Sequence, residues 1–99
     1  MATLDPGKEK QLMNFVQVFV ANFLVANLPN DIDTYVRPHV HPRQSNTIFS
    51  MNEIKRLDLY STLRIFINNW KFFFDSGVLK DNTSLNCAKT ILNWRNKIA

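Results

Sequence analysis

Two histidines, His39 and His41, stand one residue apart in the run from Arg37 to Arg43. In an extended segment, side chains two positions apart point the same way, which is how paired metal ligands are commonly presented. A structural zinc needs four ligands and a catalytic one three. Only distant Cys87, or a carboxylate such as Asp31 or Asp33, could complete such a set. The ligand count fails, so the pair reads as part of a solvated loop and no metal is expected. Cys87 falls among apolar residues at helical spacing, where a small core side chain is the expectation. A nucleophile pair of Cys87 with His39 or His41 has no supporting local motif. The chain lacks G-x-S-x-G and H-E-x-x-H, and two glycines cannot build a phosphate-cradling loop. Asp31 and Asp33 suit helix capping. These absences predict no enzyme, no cofactor and no small-molecule substrate.

The cations offer more. The formal charge is +4, unevenly spread. Up to Tyr35, Lys8 and Lys10 face Asp5, Glu9, Asp31 and Asp33. Beyond it, ten Lys and Arg face Glu53, Asp58, Asp75 and Asp81. Such a basic part can meet nucleic acid, where Lys and Arg neutralise phosphates and Asn and Gln supply hydrogen bonds. The residues for that role are Arg37, Arg43, Lys55, Arg56, Arg64, Lys89 and Lys97. They are dispersed, so a solvated surface accounts for them equally well. Lys97 sits where it favours a helix macrodipole, and Arg95 can snorkel from an apolar face.

Positioning these groups requires helices. Few glycines and prolines argue against a β-meander. The first helix is expected from Asp5-Pro6, with Asp5 as N-cap and Pro6 at the first helical position, to Leu28, where Pro29 stops it. Lys10, Gln11, Asn14, Gln17 and Asn22 share one arc of its wheel, and most of the remainder is apolar. That stripe is wider than one neighbouring helix covers, which predicts a central helix or one buried in a second subunit. A short helix capped by Asn30 can form before Val36, followed by a Pro- and His-containing loop over Arg37–Phe49.

Ser50-Met51-Asn52-Glu53 reads as a capping box opening a helix that runs to Asp75, with Gly77 as its left-handed stop. Leu59, Leu63, Phe66, Ile67, Trp70, Phe73 and Phe74 mark its core face. Ile54, Ile65 and Phe72 form a second stripe on the opposite side, with no task inside a three-helix bundle unless the short helix or the loop bearing Ile48 and Phe49 covers it. The last helix starts within Asp81–Ser84, and Cys87, Ala88, Ile91, Leu92, Trp94 and Ile98 form its apolar face.

The fold class is therefore all-α: a single helical domain over 1–99, built as a small antiparallel bundle of three long helices plus a short one. Gln11–Asn30 carries no charge, but Asn14, Gln17, Asn22 and Asn27 interrupt it. No small-residue cleavage site follows, so neither membrane insertion nor a leader is expected. Cys87 is the only cysteine, which fits an intracellular compartment, cytoplasmic or nuclear. The leading expectation is a non-enzymatic interaction protein, an adaptor that self-associates as a homodimer and binds a protein partner. Ile54, Ile65 and Phe72 would form its interface, with Val18 and Val25 as a second choice. The alternative is a basic protein that binds DNA or RNA.

Overall fold

The computed structural model describes residues 6–98. Helix α1 spans Pro6–Asn27. The expected Asp5 cap lies outside the described residues, as does the Ile98 side chain. At the far end the Asn27 amide donates to the Phe23 carbonyl at 2.9 Å, and the chain leaves the helix before Pro29 as the proline requires. Helix α2, Ile32–Tyr35, is capped by Asp31 rather than Asn30: the Asp31 carboxylate accepts from the Thr34 N–H at 3.2 Å.

The expected loop is locally folded. A 3₁₀ turn covers Arg37–His39, and helix α3 covers Pro42–Ser45 with proline in its first turn. The His41 ring Nδ1 accepts from the Arg43 N–H at 3.2 Å. Arg37 staples the segment: Nη1 donates to the Ser45 carbonyl, Nη2 donates to the Ile48 carbonyl at 2.7 Å, and Nε pairs with Asp33. Ile48 is thereby delivered to the core, where it is fully buried.

The helix expected over 50–75 is three pieces. A 3₁₀ segment, Met51–Arg56, leads to helix α4, Leu59–Asn68, and helix α5, Trp70–Asp75. Only half of the capping box forms: Glu53 accepts from the Phe49 N–H at 2.8 Å, while Ser50 makes no cap bond to the backbone. Leu57 and Asp58 are extended, and Asp58 caps α4 by accepting from the Ser61 N–H at 2.8 Å. Gln17 of α1 holds this break, donating to the Lys55 and Leu57 carbonyls at 3.1 and 2.8 Å. Asn69 interrupts the next stretch. Its buried amide donates to both the Ile65 and Tyr35 carbonyls at 2.8 Å, tying the end of α2 to α4. Gly77 adopts φ +81° as expected. The Gly77 and Val78 N–H groups return to the Phe74 and Phe73 carbonyls, a Schellman ending. Helix α6, Thr83–Ile98, completes the fold.

All secondary structure among the described residues is helical, so the all-α bundle stands. Helix α4 packs against both α1 and α6, and the result is a slab measuring 41 × 32 × 18 Å. Leu24, Ile48, Ile54, Leu63, Ile65 and Phe73 are fully buried. Phe23, Phe66 and Phe73 form the aromatic centre, with ring centroids 5.0 to 5.7 Å apart.

Two apolar assignments need correction. Ile54 and Ile65 are each 0% exposed and belong to the core, and Phe72 is half-buried edge-on against Tyr35 at 5.3 Å. The stripe is not left open: the 3₁₀ segment bearing Ile54 packs against α1, the 3₁₀ turn Arg37–His39 packs against α4, and Tyr35 of α2 lies against Phe72. Conversely, Cys87 lies on the surface rather than in the core. No helix of the described residues is long and apolar enough to cross a membrane.

Candidate nucleic-acid interface

The break before α4 creates a site. Because Leu57 and Asp58 are extended, the 3₁₀ segment lies against α1 while α4 turns towards α6. Between these elements is a groove of about 530 Å³, and Lys10 from α1, Lys55 from the 3₁₀ segment and Arg95 from α6 line it. Asn14 and Gln17 add amides along the α1 wall, and Asp58 is the one carboxylate among the lining residues. That carboxylate caps α4 through the Ser61 N–H, and three cations against it leave the walls net positive.

Beside the groove, Tyr60 receives two guanidinium groups. The Arg95 carbon is 5.3 Å from its ring centroid and the Arg64 carbon 5.8 Å. A ring in this setting orients two otherwise mobile side chains, a contribution of about 0.5–1 kcal/mol per contact at exposed sites. His39 is close enough to Arg64 to feel its charge. Burial first, and that positive charge second, hold the His39 pKa below its ordinary value of 6.5. Its imidazole is therefore neutral at physiological pH. No group of three or more His, Cys, Asp or Glu among the described residues is placed to hold a metal.

The structure redistributes the cations named from sequence. Lys55 lies in the groove and Arg64 beside it. Arg37 makes the staple described above and does not line the groove. Arg56 pairs with Glu53 at 3.3 Å. Arg43 is exposed on α3, and Lys89 and Lys97 are exposed on α6; none of the three lines the groove. Lys10 and Arg95 complete the cluster but were not among the named candidates. Gln17, recognisable only as a polar interruption of α1, is the residue that holds Lys55 in place.

A second feature lies on another side of α1. Leu12, Phe15, Val18 and Phe19 are 42, 68, 54 and 66% exposed, whereas Val25 is partly buried against the core. Phe15 and Phe19 border an apolar groove of about 410 Å³, floored by Leu63 and Phe66 of α4 and closed by α6.

Fold and groove together define a small all-helical domain with a basic cleft at the junction of its long helices. Residues 10–99 match the sequence profile of the Swt1-like HEPN family, and the chain belongs to that family. No similar curated protein and no similar solved structure matches it.

Proposed function

We propose that this chain is an RNA-binding helical domain that takes the sugar–phosphate backbone of a single strand in the basic groove framed by α1, the 3₁₀ segment Met51–Arg56 and α6, acting by binding rather than by catalysis. The observation that carries this reading is the convergence of Lys10, Lys55 and Arg95, from three separate elements, on one groove lined by a single carboxylate, Asp58. Family membership supports it, since HEPN-type domains are often ribonucleases or nucleotide-binding, or belong to toxin–antitoxin systems. HEPN domains also commonly dimerise, and a homodimer would set two basic grooves in one particle. An exposed thiol at Cys87 suits a reducing, intracellular setting.

The test is fluorescence anisotropy with labelled single-stranded RNA over a series of salt concentrations. Single strands lose affinity with a log–log salt slope of about −0.7 per neutralised phosphate, so three contacts predict a slope near −2. Replacing Lys10, Lys55 and Arg95 with Ala should flatten the slope and abolish saturable binding. Replacing Arg43 and Lys89 should leave both unchanged. Binding that persists in the triple variant, or none at low salt in the parent, would sink the proposal. The same samples on a denaturing gel decide the second reading: shortened RNA would make this chain a ribonuclease.

A further inference from the structure

We infer that the outer face of the Arg95 guanidinium is the stacking platform for an unpaired nucleobase, with Tyr60 beneath it as a positioning residue. The inference rests on the RNA-binding reading and adds to it what the domain takes besides phosphate. Tyr60 sits in the first turn of α4, just after the extended break at Leu57 and Asp58. Its half-buried ring meets Arg64, one turn further along α4, and Arg95 from α6. Arg95 belongs to two features at once. Its guanidinium carbon is 5.3 Å from the Tyr60 centroid, and the same residue lines the basic groove with Lys10 and Lys55. A planar guanidinium laid over a ring has one face on that ring and the other free of it. Unpaired bases stack on guanidinium planes as they do on aromatic side chains.

The remaining contacts of the two arginines leave this plane to a ligand. Among the described residues the side-chain ion pairs belong to Arg37 and Arg56, so neither Arg64 nor Arg95 is neutralised by a carboxylate. Arg95 Nη1 donates to the Asn96 side chain at 3.4 Å, longer than an ordinary N–H···O bond. Two like charges held on one ring repel each other, and a phosphodiester strand brings the anion that relieves this. The groove cations also divide by shape. Lys10 and Lys55 end in compact point charges on flexible stems, which suit phosphate; Arg95 alone adds a flat surface. Bases within a duplex are already stacked on one another, so only a single strand can use that surface.

Fluorescence anisotropy with two labelled probes of equal length and charge tests the inference: an oligouridylate, and an abasic ribose–phosphate strand. Both should show the same salt slope. The parent should bind the oligouridylate at least about fivefold more tightly, the lower end of what one stacked base contributes. Arg95→Lys keeps the charge and loses the plane, so the slope should hold while the preference disappears. Tyr60→Leu should lose the preference too, and Tyr60→Phe, which keeps the ring, should retain it. Arg95→Lys alters only a partly exposed side chain of α6, which guards against a folding defect in the Tyr60 variants. Equal affinity of the parent for the two probes overturns the inference and leaves phosphate binding in place. A preference that survives Arg95→Lys or Tyr60→Leu overturns it as well. Failure of both probes to bind at low salt removes the RNA reading and this inference with it.

Discussion

Ile65→Ala separates a core role for the second apolar stripe from an interface role. Ile65 is 0% exposed, on α4, against which α1, α6 and the 3₁₀ turn before α3 all pack. Burying an isoleucine fully is worth about 1.5–3 kcal/mol in transfer alone. The cavity left by truncation brings the usual cost of Ile→Ala to about 2–5 kcal/mol. A domain of this length is stable by roughly 5–15 kcal/mol, so one substitution removes a large share. Taking about 3 kcal/mol and a shift of about 4–8 °C per kcal/mol, the melting temperature should fall by about 12–24 °C. Thermal and urea denaturation followed by circular dichroism provide the measurement, with Ile54→Ala expected to behave alike. Val18→Ala, at a position 54% exposed, should stay within about 0.5 kcal/mol of the parent. The reasoning is refuted if Ile65→Ala melts within about 4 °C of the parent, or melts normally while its associated mass halves.

Further perturbations probe the elements that shape the site. Asp58→Ala deletes the cap of α4 and should cost about 1 kcal/mol in urea denaturation, while Asp58→Asn should recover most of it. Arg37→Ala frees the Ser45 and Ile48 carbonyls. Because Arg37 is partly exposed, a loss of about 1 kcal/mol is expected, and limited proteolysis should then cut between 37 and 49. The pH profile has a definite sign. His39 has a folded pKa below its ordinary 6.5, so the unfolded chain takes the proton first and stability falls as pH drops through about 6.5. Urea midpoints at pH 7.5 and 5.5 should differ for the parent and converge in His39→Gln. Glu53 is lowered chiefly by the Phe49 N–H and Asp81 by the Thr83 N–H. Each therefore adds stability above its ordinary carboxylate value that is lost on further acidification.

Local chemistry made much of this legible. Pro29 ends α1 and Gly77 ends α5 because each imposes a backbone constraint that no tertiary contact has to supply. The width of the α1 stripe also reads directly, as exposed Leu12, Phe15 and Phe19. The break at Leu57–Asp58 was hidden because apolar spacing continues across it. Asp58-Leu59-Tyr60-Ser61 holds a valid cap, but Ser50 upstream offers a competing start. Choosing between them depends on Gln17, whose amide takes up carbonyls far along the chain. The same long reach concealed the basic groove: Lys10, Lys55 and Arg95 share no local pattern and meet only once α4 lies between α1 and α6. Ile65 looks surplus on a helical wheel because the 3₁₀ turn that packs on α4 lies in a proline-bearing stretch that reads as a loop.

The slab shape has a dynamic consequence. Helix α4 packs against both α1 and α6, and six of its ten residues are buried, whereas Ala88 is the one buried residue of α6 among those described. Amide protons of α4 should then exchange only through global unfolding, and those of α6 through a cheaper detachment of that helix alone. Yet α6 supplies Arg95 to one groove and Ser84, Cys87 and Ala88 to the other. One lightly buried helix thus lines both grooves. Occupying either one adds binding free energy to the attached state alone. RNA in the basic groove would in this way also steady the apolar groove, two surfaces joined by one lightly buried helix without any direct contact between them.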